Sequence, residues 1–143
     1  MRLSHIRPHG REEVSSCLHP ASYGSRPAYS SPRRPCTLLA TASSDGTVRL
    51  WNPATHKLIG QLTGHQDAVH AVAFSPDGTL LATAGHDRTV RLWNPATHEP
   101  IGQPLTGHQG TILAVAISPD STLLATAGHD TVRLWTTPAT ARM

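Results

Sequence analysis

Three tryptophans, Trp51, Trp93 and Trp135, stand 42 residues apart, and the residues around them repeat with them. Residues 38–66 read LLATASSDGTVRLWNPATHKLIGQLTGHQ, and residues 80–109 read LLATAGHDRTVRLWNPATHEPIGQPLTGHQ. A third copy begins at Leu123 as LLATAGHDTVRLW and diverges at Thr136. A fixed period of this length marks a repeat architecture. Each unit is then one small supersecondary module that cannot bury its own apolar face and needs neighbours to do so.

The pattern inside a unit is β. Val69, Val72 and Phe74 form one strand-like stretch after Gly64-His65, and Ile112, Val115 and Ile117 match them after Gly107-His108. Ser75-Pro76-Asp77-Gly78 reads as a tight turn, with proline presetting φ and glycine free to adopt positive φ. Leu80 to Ala84 predicts a second strand, Gly85 to Arg88 a turn, and Thr89 to Trp93 a third strand with Val90 and Leu92 on one face. Asn94-Pro95 ends it. Glu99 to Leu105 predicts a weaker fourth strand, in which Pro100 and Pro104 suit an edge. Eleven glycines and twelve prolines in 143 residues point away from long helices.

The spacing of Gly-His, then Asp-x-Thr-Val-Arg-Leu-Trp, resembles the WD-repeat (β-transducin-like) family. The resemblance covers residues 37–135, about 70% of the chain. The near-identical copies resemble bacterial members. One departure is that the usual Trp-Asp pair reads Trp51-Asn52, Trp93-Asn94 and Trp135-Thr136. The implied fold is all-β, a partial β-propeller of about two and a half four-stranded blades. Strands two to four of one blade, all of the next and three of a third would be present. Closed propellers take four to eight blades.

A hydroxyl, a histidine and an aspartate recur together as His65, Thr83 and Asp87, and again as His108, Thr126 and Asp130. Nucleophilic catalysis uses such a trio, but an active site has no reason to recur in every repeat. The resemblance implies instead a structural tetrad completed by Trp93 and Trp135, whose buried indole and imidazole nitrogens need partners. The first unit has Thr41, Asp45 and Trp51 but no preceding Gly-His. The third lacks the residue between Asp130 and Thr131, and a one-residue deletion there predicts a disturbed register.

The resemblance also implies a partner-binding top face at Ala68, His70, His86, Thr111, Leu113 and His129, with Ser44 from the first unit. Imidazoles at such positions predict contacts that change between about pH 6 and 7. The reading against this is ordinary solvated turns. Ten histidines invite a metal site, but no cysteine pair or acidic cluster accompanies them. No glycine-rich phosphate loop is present, and no cofactor is expected.

Residues 1–36 lack the period. They hold seven Ser, five Pro and six Arg against two Glu, a net +4, whereas residues 37–143 hold six cations against seven carboxylates, a net −1. The repeats are therefore not a basic nucleic-acid surface. Residues 1–36 read as a disordered Arg/Ser/Pro-rich segment. Alternatively they are an out-of-frame translation of an earlier repeat, because codons for Pro-Asp-Gly shifted by two bases can encode Pro-Arg-Arg-Pro, the sequence at 32–35. Residues 136–143 read as a truncated tail. Cys17 and Cys36 form no disulfide framework by spacing, which predicts a reduced, cytoplasmic setting. No apolar run approaches membrane-spanning length.

The expected function is a non-catalytic protein–protein interaction scaffold and a fragment of a larger propeller protein, with other proteins as partners or copies of itself completing a ring. Alternatives are the regulatory propeller of a larger bacterial signalling enzyme, a truncated product without activity, or a nucleic-acid binder through the Arg-rich segment.

Overall fold

A computed structural model describes residues 2–6, 13–18 and 36–138. All eleven elements among these residues are strands: β1 (Arg2–Ile6), β2 (Glu13–Leu18), β3 (Leu38–Ala42), β4 (Val48–Asn52), β5 (Lys57–Leu62), β6 (Val69–Phe74), β7 (Leu81–Gly85), β8 (Val90–Trp93), β9 (Ile112–Ile117), β10 (Leu123–Gly128) and β11 (Val132–Thr136). They form three antiparallel sheets in the orders β1-β2-β3-β4-β5, β6-β7-β8 and β9-β10-β11. Each sheet is one blade, and the described residues form no closed ring.

The repeat fixes the register. Leu39 faces Trp51, Leu81 faces Trp93 and Leu124 faces Trp135 across the middle strand pairs. The turns follow from their residues. Gly78 has φ +79° and its N–H donates to the Ser75 carbonyl at 3.0 Å, closing the Ser-Pro-Asp-Gly turn. Asp77 Oδ1 accepts from the Thr79 amide at 3.1 Å. The glycine of Gly-His is needed twice over. Gly64 has φ +149°, and a Cβ there would lie 3.1 Å from an Arg91 guanidinium nitrogen. Gly107 repeats this against Arg133. The fourth strand of the second blade is reduced to two bridges, Val90 to Leu105 and Trp93 to Pro100.

Two cores lie between the blades. Ala40, Ala42, Val48 and Leu50 of the first blade pack against Val69, Val72, Leu81 and Trp93 of the second. Ala82, Ala84, Val90 and Leu92 of the second pack against Ile112, Val115 and Leu124 of the third. The first and second blades thus each have a small-residue face, covered by the bulkier face of the blade that follows.

Three sequence expectations need correction. The sequence predicts disorder over 1–36, yet within it residues 2–6 and 13–18 form β1 and β2, with Ser15, Ser16 and Cys17 buried; residues 1, 7–12 and 19–35 lie outside the described residues. The first blade was expected to lack its inner strand. β2 occupies that position, pairing Ser15 with Thr41 as Val72 pairs with Thr83. The physical reason is that an inner strand needs an edge to pair with and a blade to lie against, not a particular periodicity, and β3 and β6 supply both. The two cysteines form a disulfide, Cys17–Cys36, with Cα atoms 5.5 Å apart. Pairing of β2 with β3 sets Cys17 opposite Leu39, just beyond Cys36, a proximity that spacing alone does not reveal.

Candidate functional site

The second blade carries a complete hydrogen-bond relay. His65 Nδ1 lies 2.9 Å from Asp87 Oδ2, and a carboxylate only accepts, so Nδ1 carries the proton. In the neutral ring Nε2 then accepts the Thr83 hydroxyl proton at 2.7 Å. Thr83 Oγ1 in turn accepts the Trp93 indole N–H at 2.9 Å. Burial pushes the His65 imidazole below its ordinary value despite the opposing Asp87 carboxylate, which keeps the ring neutral. For Asp87 burial acts upward, but the Gln66 amide, His65 and Thr89 together hold it below the usual carboxylate range. The Gln66 N–H donates to Oδ2 at 3.0 Å.

The third blade builds the same relay. His108 lies 3.0 Å from Asp130 Oδ1 and 2.7 Å from Thr126 Oγ1, and the Trp135 indole donates to Thr126 at 3.0 Å. The Gln109 amide, first, and His108 hold the Asp130 carboxyl well below its usual range. The expected register disturbance does not occur. In the second blade Gly85 to Thr89 join Ala84 to Val90, and in the third Gly128 to Thr131 join Ala127 to Val132. The deletion is absorbed inside the turn, where Gly128 N–H reaches the Thr131 carbonyl at 3.0 Å. It removes the counterpart of Arg88, a non-glycine residue at φ +68°.

The first blade has the partial version. Trp51 donates to Thr41 at 2.9 Å. Asp45 turns to Thr47, whose amide and hydroxyl approach at 3.0 and 2.6 Å, and to Arg49 at 3.3 Å. The Thr47 hydroxyl is the main cause that brings the Asp45 carboxyl down to about 2.

The seven residues expected to bind partners lie in or next to the turns beside these relays, with His70 on β6 and Leu113 on β9. His86 N–H donates to the Ala68 carbonyl at 2.9 Å, and His129 N–H to the Thr111 carbonyl at 3.0 Å. The His86 side chain contacts Thr111 Oγ1 through Nδ1 at 3.0 Å and faces the Asp67 carboxylate at 3.9 Å through Nε2. The His70 ring meets it edge-on at 6.2 Å. Ala68, His70, His86 and Thr111 thus form one cluster, with His129 joined through Thr111. Ser44 is exposed one residue after Ser43, whose carbonyl accepts from Val69. Leu113 is 48% exposed on β9. Sequence reasoning missed Asp67, Gln66, Arg88 and Gly110, which with His86, Asp87 and Thr111 line an open cleft of about 550 Å³. No periodic signal marks Asp67, since the matching position after Gly107-His108 is Gly110. Among the described residues no three metal-ligating side chains converge.

Successive antiparallel blades packed face to face, two of them carrying a complete Asp–His–Thr–Trp relay, define a WD-type propeller repeat protein. The family model described as WD domain, G-beta repeat matches residues 2–52, 56–94 and 99–136, and the chain belongs to that family. It is 56% identical over 41 residues to the F-box-like/WD repeat-containing protein TBL1X of Mus musculus, covering 29% of this chain and 8% of that protein. It is 55% identical over 42 residues to ribosome assembly protein 4 of Saccharomyces cerevisiae, covering 29% and 8%. It is 40% identical over 52 residues to the WD40 repeat-containing protein HOS15 of Arabidopsis thaliana, covering 36% and 8%. The matched segments span about 8% of the length of these relatives.

Proposed function

We propose that the chain is a non-catalytic protein-interaction scaffold and part of a larger propeller protein, with partners docking on the top face around His86. The observation that carries this reading is the cluster of Ala68, His70, His86 and Thr111 beside the Asp67 cleft. There, residues from two blades bring the exposed His86 and Asp67 together with the half-buried His70 and Thr111 on a rigid β frame. The hydroxyl–His–Asp trios support it from the other side. Their groups are tied into Trp relays, the histidine side chains are 1% exposed, and a substrate has no access to them.

A cytoplasmic location is part of the same proposal. A reducing compartment would open the Cys17–Cys36 bond, leaving the inner strand of the first blade to its ladder with β3 and its packing against β6.

The test is comparative capture from the source organism's lysate with immobilised wild-type chain and the His70→Ala/His86→Ala variant. The reading expects a defined set of proteins that the variant loses while its thermal melt is unchanged. Identical captured sets would refute top-face docking. Flanking DNA translated in all frames tests the larger propeller: adjoining Gly-His and Trp motifs support it, and none refutes it.

A further inference from the structure

The Cys17–Cys36 bond stands where the second blade has a tight turn. The repeat sets Leu38 against Leu80, so Cys36 takes the place of Gly78 and Thr37 that of Thr79. Cys17 lies opposite Leu39 as Phe74 lies opposite Leu81. In the second blade residues 75–80 join the two strands, and the Gly78 N–H closes the turn on the Ser75 carbonyl at 3.0 Å. In the first blade residues 19–37 join them. Closure there falls to the disulfide and to the Thr37 N–H, which donates to the Leu18 carbonyl at 2.9 Å. Cys36 leads into β3 at the end away from the turn at 43–47. Blades stack face on face, so a neighbouring blade covers a sheet face and not this end. The two sulfurs differ in their surroundings. Cys17 sits within the β2–β3 ladder and is 9% exposed. Cys36 precedes β3 outside any strand, is half-buried, and adjoins the exposed Thr37.

We propose that this pair is a thiol–disulfide exchange site for small thiols, with Cys36 the sulfur attacked and Cys17 the sulfur that leaves and later recloses the bond. Access decides the direction, because a thiolate must reach the sulfur it attacks. The small thiolate bonds to Cys36 Sγ, the Cys17–Cys36 bond breaks, and Cys17 Sγ departs with the electron pair and takes a proton from water. The product is a mixed disulfide on Cys36. Cys17 stays close, because the β2–β3 ladder still holds it opposite Leu39 after the bond opens. Its thiolate attacks Cys36 Sγ in turn, expels the small thiol and restores the bond. Where a second small thiol arrives first, it attacks the small-thiol sulfur of the mixed disulfide. Both cysteines are then left reduced, and two thiols are oxidised to one small disulfide for the one protein disulfide opened. The inference uses none of the top-face residues and stands apart from docking there.

Brief exposure of the oxidised wild-type chain to reduced glutathione, followed by an acid quench, alkylation of the freed thiol and peptide mass spectrometry, tests it. Glutathione is expected on Cys36 and the alkyl label on Cys17, about tenfold or more in excess of the reverse arrangement. In denaturant both sulfurs are open to solvent, and the preference should vanish. With oxidised glutathione, reduced Cys17→Ser should keep its adduct on Cys36, whereas the reduced wild-type chain should pass through the adduct to the closed bond. A folded chain that glutathione leaves untouched, an equal split, a preference for Cys17 or one that persists in denaturant would overturn the proposal. So would a wild-type adduct as lasting as that of Cys17→Ser.

Discussion

The Thr83 hydroxyl joins His65 to Trp93, giving its proton to Nε2 at 2.7 Å and accepting the indole N–H at 2.9 Å, in a site where Thr83 is 0% exposed. Removing that oxygen strands a buried acceptor and a buried donor at once. Thr83→Val keeps the shape and should lower stability by about 2–3 kcal/mol. Thr83→Ser keeps the hydroxyl and should cost well under half as much. Chemical denaturation of both variants beside the wild type measures the difference.

Acid should unfold the chain in two stages. His65 titrates below its ordinary value in the folded state. The unfolded chain therefore takes up a proton first, and stability present above about pH 6.5 is lost as pH falls through that region. Asp87 and Asp130 are also depressed, so their contribution, full above about pH 4, is lost as pH falls further. Melting temperatures from pH 8 to pH 3 should fall throughout, and His65→Gln should flatten the step between pH 7 and 5.

Arg88 adopts φ +68° where the first blade has Gly46 at φ +88°. A side chain in the left-handed region costs about 1 kcal/mol, partly offset because glycine loses more chain entropy on folding. Arg88→Gly should therefore gain a few tenths of a kcal/mol, up to about 1. Gly46→Ala should lose about 1–2 kcal/mol, since its Cβ would also crowd the Asp67 carbonyl at 3.2 Å. Paired thermal melts check both signs.

The Cys17–Cys36 bond closes a loop of sequence separation 19 and ties β2 to the start of β3. Reduction should lower stability by about 3 kcal/mol, the loss concentrated in the first blade. Hydrogen exchange with and without reductant should show β2 and β3 losing protection while β9 and β10 keep theirs.

The blades were legible because WD repeats write local chemistry into sequence. Gly64, Asp87 and Trp93 each meet a requirement of φ, hydrogen bonding or packing that recurs at a fixed spacing. β2 was not legible because Ser15, Ser16 and Cys17 carry no apolar alternation; its place comes from the ladder with β3 and, on the Ser16 side, from the second blade. The third turn misled because a deletion in sequence looks like a slip in register. The shorter turn closes by the Gly128 N–H to Thr131 carbonyl bond instead, with Leu124 still facing Trp135. Asp67 was invisible as a cleft residue because its role comes from the approach of His86 across the blade.

Exchange of the three indole N–H protons with solvent, followed by NMR, tests the relays most directly. Trp93, with a buried acceptor backed by His65 and Asp87, should exchange slowest. Trp135 should follow, and Trp51, whose acceptor Thr41 has no histidine behind it among the described residues, should be fastest of the three. His65→Gln should speed Trp93 and leave Trp135 unchanged. Three indoles exchanging at the rate of free tryptophan would contradict the account.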